Sequence, residues 1–326
     1  MATEPDGVTN FIRHFKALLA QVMATCASVR PVSPPALGTA TWTSFDGKEM
    51  PWHSWPVAPG TKPKAVIITI HGLSGAASDF HLLGEQLRGH GYEVYGYELR
   101  GQGYDPDVAK RGDIASADHW LKDLRTFHRL VSARHPGVPV IWYGESLGTL
   151  IALHAAAGKH ETPDALILAT PIAGLKMKVS AGQRGLLLAG SRVVPGLRVS
   201  LGDLAGMDEN KIRVTSTTTH GGQMAKTPYH VSHFSLRLLR EIDRLIQSNP
   251  KAARNLRIPV LVLGSPHDVV SSPDQVQGLF AEIGSQDKLM HWYSKSYHLL
   301  LHDVQRDQVV ADLLRWLERY QAERKL

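Results

Sequence analysis

Ser146 stands between Gly144 and Gly148, each two positions away, in the run Tyr143-Gly144-Glu145-Ser146-Leu147-Gly148. An apolar, strand-like run at 139–143 precedes it and a helical pattern at 147–157 follows. A serine on such a turn is forced into a strained backbone conformation, and side chains two residues to either side would collide. Its hydroxyl is then exposed beside a helix N-terminus, where developing negative charge is favoured. That is the setting of a nucleophile for acyl transfer.

Such a serine needs a base, an acid that orients the base, and donors for the oxyanion. The order expected with this turn is serine, acid, histidine. After an apolar run at 259–263 comes Gly264-Ser265-Pro266-His267-Asp268. Asp268 falls at a strand's carboxyl end, where active sites of parallel sheets collect. Asp274 lies further on, near a helix start, and reads as a cap. After a last strand-like run at 289–293 comes Ser294-Lys295-Ser296-Tyr297-His298. His298 is on a loop, His291 inside the strand, and His302 one helical turn later. Ser146, His298 and Asp268 are therefore the expected nucleophile, base and orienting acid. The run Ile70-His71-Gly72-Leu73-Ser74-Gly75 follows another parallel strand and can aim an N–H at the reacting carbonyl. The expected oxyanion donors are the backbone N–H groups of Leu73 and Leu147, with His71 as a brace of the turn.

These residues sit on strands alternating with helices. Strands are expected at 40–45 and 50–57, around a hairpin signal at Asp46-Gly47, then at 65–70, 93–97, 139–143, 165–169, 259–263 and 289–293. Helices are expected at 78–90, 117–134, 147–157, 274–283 and 304–321. That alternation predicts an α/β fold, a mostly parallel sheet flanked by helices. Residues 39–174 and 251–326 form the core of this reading. Residues 175–250 interrupt it as a mainly helical cap, with an apolar stretch at 185–190 and a helix over 231–247. Leu186, Leu187, Leu188, Val193 and Val194 are the expected acyl-binding wall.

The chain has 326 residues, 43% hydrophobic and 20% charged, which excludes wholesale disorder. Its single cysteine, Cys26, excludes a disulfide framework and a cysteine zinc site. No run of 18 residues lacks a charge, which argues against a conventional spanning helix. The formal charge is +6. Residues 175–250 carry 11 Lys and Arg against five Asp and Glu, so the excess lies in the cap. No basic block interleaves with aromatics, so nucleic acid is not expected. Arg100-Gly101-Gln102-Gly103 lacks the spacing of a dinucleotide site. His230 and His233, expected three apart on a helix, have no carboxylate or thiol to complete a metal site. Within residues 1–38, Phe11, Phe15, Leu18, Leu19, Val22 and Cys26 recur at helical spacing, and Pro31, Pro34 and Pro35 make a linker. A secretory signal or a lipid anchor at Cys26 competes with a packed amphipathic helix.

His71-Gly72, Leu99-Arg100-Gly101-Gln102-Gly103, Gly144-Glu145-Ser146-Leu147-Gly148, Asp268 and Tyr297-His298 fall in the order seen in α/β-hydrolases. Over about 40–322 the chain resembles the monoacylglycerol lipase and lysophospholipase group, which includes serine aminopeptidase-like sequences. It departs at Glu98, Gln102 and Thr149, where Asp, His and Gly are usual. The resemblance implies a serine hydrolase of lipid-like carboxylic esters, needing no metal or organic cofactor. Short-chain or aryl esters are the runner-up, and a non-catalytic binding protein of the same fold is a different class. The basic cap and the N-terminal segment predict attachment to an anionic membrane surface, with a cytoplasmic location as the alternative.

Overall fold

Strands β4 (Val66–Ile70), β6 (Val140–Glu145), β7 (Ala165–Ala169) and β10 (Val260–Gly264) are buried along their whole length. Helices cover both faces of a parallel sheet, so its inner strands read as unbroken apolar runs. The computed structural model describes residues 33–324, apart from 159, 178, 179, 201 and 203–207. The expected helix or anchor over residues 11–26 lies outside the described residues.

The other strands of this sheet are β1 (Ala36–Leu37), β2 (Thr41–Thr43), β3 (Glu49–Trp55), β5 (Glu93–Tyr97) and β11 (Lys288–Trp292). Among the described residues the sheet has nine strands, in the order β1-β2-β3-β5-β4-β6-β7-β10-β11. From β5 to β11 all neighbours are parallel, whereas β1, β2 and β3 join antiparallel. The hairpin between β2 and β3 turns through Gly47 at φ 80°, a left-handed conformation that glycine adopts without penalty.

Side chains alternate between the faces, because successive residues of a strand point opposite ways. Ile68, Trp142, Leu166 and Val262 pack with helices α2 (Ala117–Arg134), α3 (Leu147–Ala156), α6 (Leu236–Asn255) and α7 (Pro273–Glu282). Ile67, Tyr143, Ile167 and Leu261 pack on the other face against α1 (His81–Gly89) and α8 (Arg306–Glu323). The helix expected from residue 78 opens with a 3-10 turn, Ala77–Phe80, before α1.

Between β7 and β10 the described residues form α4 (Ala181–Val193), β8 (Arg198–Ser200), α5 (His220–Met224), β9 (His233–Ser235) and α6. Strands β8 and β9 pair antiparallel as a separate two-stranded sheet. The helix expected over 231–247 is thus corrected. Residues 231 and 232 lie in no regular element, His233–Ser235 form β9, and α6 begins only after Ser235, whose hydroxyl caps it by accepting from Leu238 N–H at 3.0 Å. The Ser235 N–H donates to the Gly112 carbonyl at 2.8 Å, so a core loop fixes that cap residue. Helix α6 then runs past Pro250 to Asn255, because Ala252 and Ala253 are buried against the core.

Candidate active site

Strand β6 delivers the chain to Ser146 at φ 52° and ψ −116°, which an L residue rarely adopts. A Cβ on Gly144 would lie 2.5 Å from the Gly148 carbonyl oxygen, and one on Gly148 2.0 Å from that of Ile70. Both contacts are to backbone, so neither can relax cheaply. Thr149, a departure from the usual glycine, helps hold the turn. Its hydroxyl donates to the Ser146 carbonyl at 2.6 Å and accepts from Ile172 N–H at 3.2 Å.

The loop after β11 brings His298 to this serine. Its Nε2 is 2.9 Å from Ser146 Oγ, and its Nδ1 is 3.0 Å from Asp268 Oδ1, on the loop after β10. Asp268 Oδ1 also accepts from Val270 N–H at 2.7 Å. In this geometry the serine hydroxyl donates to Nε2 while Nδ1–H donates to the carboxylate. Burial opposes charging of His298, but the Asp268 charge and hydrogen bond outweigh it, helped by Glu145, and its pKa is raised above the ordinary imidazole value. Glu145, next to the serine, is itself buried; burial pushes its carboxyl up, and its Oε1 has no hydrogen-bond partner among the described residues.

The rivals lie elsewhere. Asp274 is in the first turn of α7, but the cap there is Ser272, which accepts from Gln275 N–H at 3.3 Å. His291 is in β11 and His302 ends the 3-10 turn Leu300–His302. His71 braces its loop: Nδ1–H donates to the Gly72 carbonyl at 2.9 Å and Nε2 accepts from Leu99 N–H at 3.0 Å. Gly72 lets that loop approach the serine, since a Cβ there would stand 3.2 Å from Ser146 Cβ. The other departures keep acceptors in place. Glu98 accepts from Ala77 N–H and Tyr104 N–H, each at 3.0 Å, and Gln102 Oε1 accepts from Ser74 N–H at 2.9 Å.

Ser146 and His298 open into a cavity of about 1670 Å³, which Leu73 and Leu147 also line. One wall is apolar and draws on α4, α6 and α7, with Leu187, Val194, Leu239, Ile242 and Leu279 among its members. Of the expected acyl wall, Leu186, Leu187 and Val194 line this cavity; Leu188 and Val193 do not. Leu188 is turned about 100° round the helix from Leu187, and Val193 is 80% exposed. A second wall, mostly polar, comes from 209–230: Glu209, His220, Gln223, Thr227, Tyr229 and His230, with the apolar Ile212, Val214 and Met224 between them. His220 Nδ1 is 4.0 Å from Glu209 Oε2, and its ring is 6.0 Å from that of His230. Burial holds both imidazoles below their ordinary pKa, His230 at about 4. His230 Nε2 is buried without a hydrogen-bond partner among the described residues. The expectation that His230 and His233 share a helix is corrected: His233 is in β9, and the His230 N–H closes a turn onto the Thr227 carbonyl at 3.1 Å. Among the described residues no cluster of three or more His, Cys, Asp or Glu could hold a metal. No motif spacing marks the polar wall, so sequence reasoning passed over it.

The mostly parallel sheet, the strained serine at the end of its inner strand β6, and the loops that meet there define an α/β-hydrolase of the serine hydrolase class. A family model described as serine aminopeptidase, S33, matches residues 61–305, and the chain belongs to that family. It is 28% identical over 273 residues to phospholipase YtpA of Bacillus subtilis, covering 79% of this chain and 97% of that one. It is 23% identical to a monoacylglycerol lipase of Mycolicibacterium smegmatis, covering 79% and 90%. The solved monoglyceride lipase of Saccharomyces cerevisiae, a soluble variant with a substrate analogue, shares the fold at TM-score 0.73 and 21% identity, covering 89% and 99%.

Proposed function

We propose that this chain hydrolyses the carboxylic ester of a single-chain lipid, a monoacylglycerol or lysophospholipid, through an acyl-enzyme on Ser146. The observation that carries the reading is the Ser146–His298–Asp268 array opening into a large cavity with one apolar and one polar wall. The cavity exceeds the roughly 300–1,000 Å³ of ordinary small-molecule sites, which favours a long acyl chain over a short or aryl ester. The relatives named as phospholipase and monoacylglycerol lipases support the same class.

In this mechanism His298 Nε2 takes the hydroxyl proton as Ser146 Oγ attacks the ester carbonyl. The Leu73 and Leu147 N–H groups receive the oxyanion. His298 then gives its proton to the departing alcohol, and water repeats the sequence to release the fatty acid. The acyl chain lies along Leu187 and Leu239, and the alcohol faces the polar wall. A peptidase is disfavoured because capture of a substrate ammonium calls for an acidic surround, whereas residues 175–250 over the site carry 11 Lys and Arg against five Asp and Glu.

The working location in this proposal is a membrane surface. Leu186, Val193, Val194 and Leu197 are exposed beside the cavity. Much of the basic excess is paired, as in Arg184–Asp243, Arg237–Asp113 and Arg244–Asp118. Lys176, Arg192 and Arg213 have no carboxylate partner among the described residues and supply the attraction to anionic headgroups.

The test is a series of p-nitrophenyl esters, monoacylglycerols, lysophospholipids and aminoacyl p-nitroanilides, run with wild type and Ser146→Ala. Turnover that rises with acyl length and vanishes in the variant is expected. Turnover retained by Ser146→Ala, or confined to the anilides, sinks the proposal.

A further inference from the structure

No regular element holds His298; it sits in the loop between β11 and the turn Leu300–His302. Both backbone N–H groups that flank it are nevertheless tied. Tyr297 N–H donates to Asp303 Oδ2 at 2.8 Å, and Leu299 N–H donates to the Val214 carbonyl at 3.0 Å. Asp303 is buried, and its other oxygen is occupied as well. Oδ1 accepts from Ser216 N–H at 2.9 Å, the Ser216 hydroxyl at 2.5 Å and Val304 N–H at 2.8 Å.

Val214 and Ser216 belong to one tight turn within the inserted segment. A bridge between Arg213 and Thr219 closes it, and the N–H groups of Val214 and Thr215 both donate to the Thr218 carbonyl, at 3.1 and 3.2 Å. The Arg213 guanidinium lies over the Tyr297 ring at 6.0 Å. The turn at 213–219 thus touches the residue before His298, the residue after it, and the carboxylate that fixes the loop.

From these contacts we infer that Asp303 is a positioning residue for His298, and that the turn at 213–219 is the splint against which it sets the imidazole. The alignment of base and nucleophile then depends on the seating of a segment that supplies no reacting group. One carboxylate transmits that dependence, with one oxygen on each side of the contact. Asparagine cannot replace it. Its amide nitrogen would face either Tyr297 N–H or Ser216 N–H, and an acceptor would become a donor opposed to a donor.

This inference rests on His298 being the base for Ser146, and the experiment separates the two ideas. Full-length Asp303→Asn, Asp303→Glu, Ser216→Ala and Ser146→Ala are compared by steady-state kinetics on a soluble ester. The rate at which a phosphonate labels Ser146, and the melting temperature, are measured beside them. Misplacing a reacting group by about 1 Å can cost on the order of 100-fold. Asp303→Asn should therefore lower kcat by about 10- to 100-fold with KM unchanged, and slow labelling in step. Ser216→Ala should lower both rates to a smaller degree, and Asp303→Glu should recover part of the loss. If Asp303→Asn fails to fold, Ser216→Ala decides alone. Unchanged kcat and labelling in whichever variant folds, or a loss confined to KM, overturns the inference. Turnover retained by Ser146→Ala would instead overturn the functional reading. Labelling needs no ester substrate, so the two failures are told apart.

Discussion

Replacing Asp268 by Asn tests the electrostatics of the site more sharply than a deletion does. Asp268 Oδ1 accepts both His298 Nδ1–H, at 3.0 Å, and Val270 N–H, at 2.7 Å. An Asn amide that turned its NH2 to this position would meet the Val270 N–H head-on. The amide oxygen is therefore held where the carboxylate oxygen was, and His298 keeps its tautomer. What the variant loses is the negative charge beside the imidazolium that forms in the transition state. With charge centres about 4 Å apart and an effective dielectric constant of about 20, that attraction is about 4 kcal/mol. The expected fall in kcat/KM is therefore on the order of 10³-fold. The pH profile should change as well. Protonated His298 cannot accept the Ser146 proton, so activity falls as pH drops through its pKa. In wild type that limb lies above the ordinary imidazole value, because Asp268 and Glu145 outweigh burial. Without the Asp268 charge burial gains ground, and the limb should move to lower pH. Measuring kcat/KM from pH 5 to 9 on a soluble ester, with Asp274→Asn as the control, checks both. An unmoved limb with wild-type rates, or an equal loss in Asp274→Asn, would refute the reasoning.

Leu187→Ala should lower kcat/KM for long acyl chains by about 1 kcal/mol, roughly fivefold, more than for acetate. Leu188→Ala, which points away from the cavity, should leave the long-to-short ratio alone, and equal ratios in the two variants would disprove the assigned wall. Gly148→Ala should cost activity outright, since its Cβ would press within 2.0 Å of the Ile70 carbonyl oxygen; wild-type phosphonate labelling would contradict that. Flotation with anionic vesicles should weaken as salt rises from about 0.05 to 0.5 M and yet persist. Val193→Asp should remove the persistent part, and unchanged flotation in that variant would argue against the docking face.

The parallel core was legible because its strands are buried on both faces, and runs such as Val-Ile-Ile-Thr-Ile at 66–70 announce that directly. The triad was legible because serine and aspartate each follow such a run, and histidine follows the last, partly buried strand β11 in the expected order. The hairpin of β8 and β9 was not. Each strand has three residues, and they pair across more than thirty intervening positions with no turn signal to join them. The helical pattern at 231–247 is genuine from 236 onward, but only the bond from Ser235 N–H to Gly112 shows where it must begin. Leu188 and Val193 were assigned from hydrophobicity alone, which does not give the rotation of α4 about its axis. Asp303 looks like a solvated acid before a helix. Its role depends on Ser216, 87 positions away, and no local pattern carries that.

The sheet order has a consequence for how the chain comes to life. Strand β6, with the nucleophile at its end, lies inside the sheet, while β11, which precedes the base, is the edge strand and the last to emerge. The Ser146–His298 hydrogen bond spans 152 positions. Contacts of such separation form only after the chain between them has been ordered, since loop closure must precede the reward. A nascent chain can thus bury its serine-bearing strand and complete most of its parallel sheet while remaining chemically inert. Hydrolytic power awaits the docking of the outermost strand and of the His298 loop that follows it. Labelling of the serine therefore reports whether the C-terminal edge has closed, and chains cut short before it stay silent.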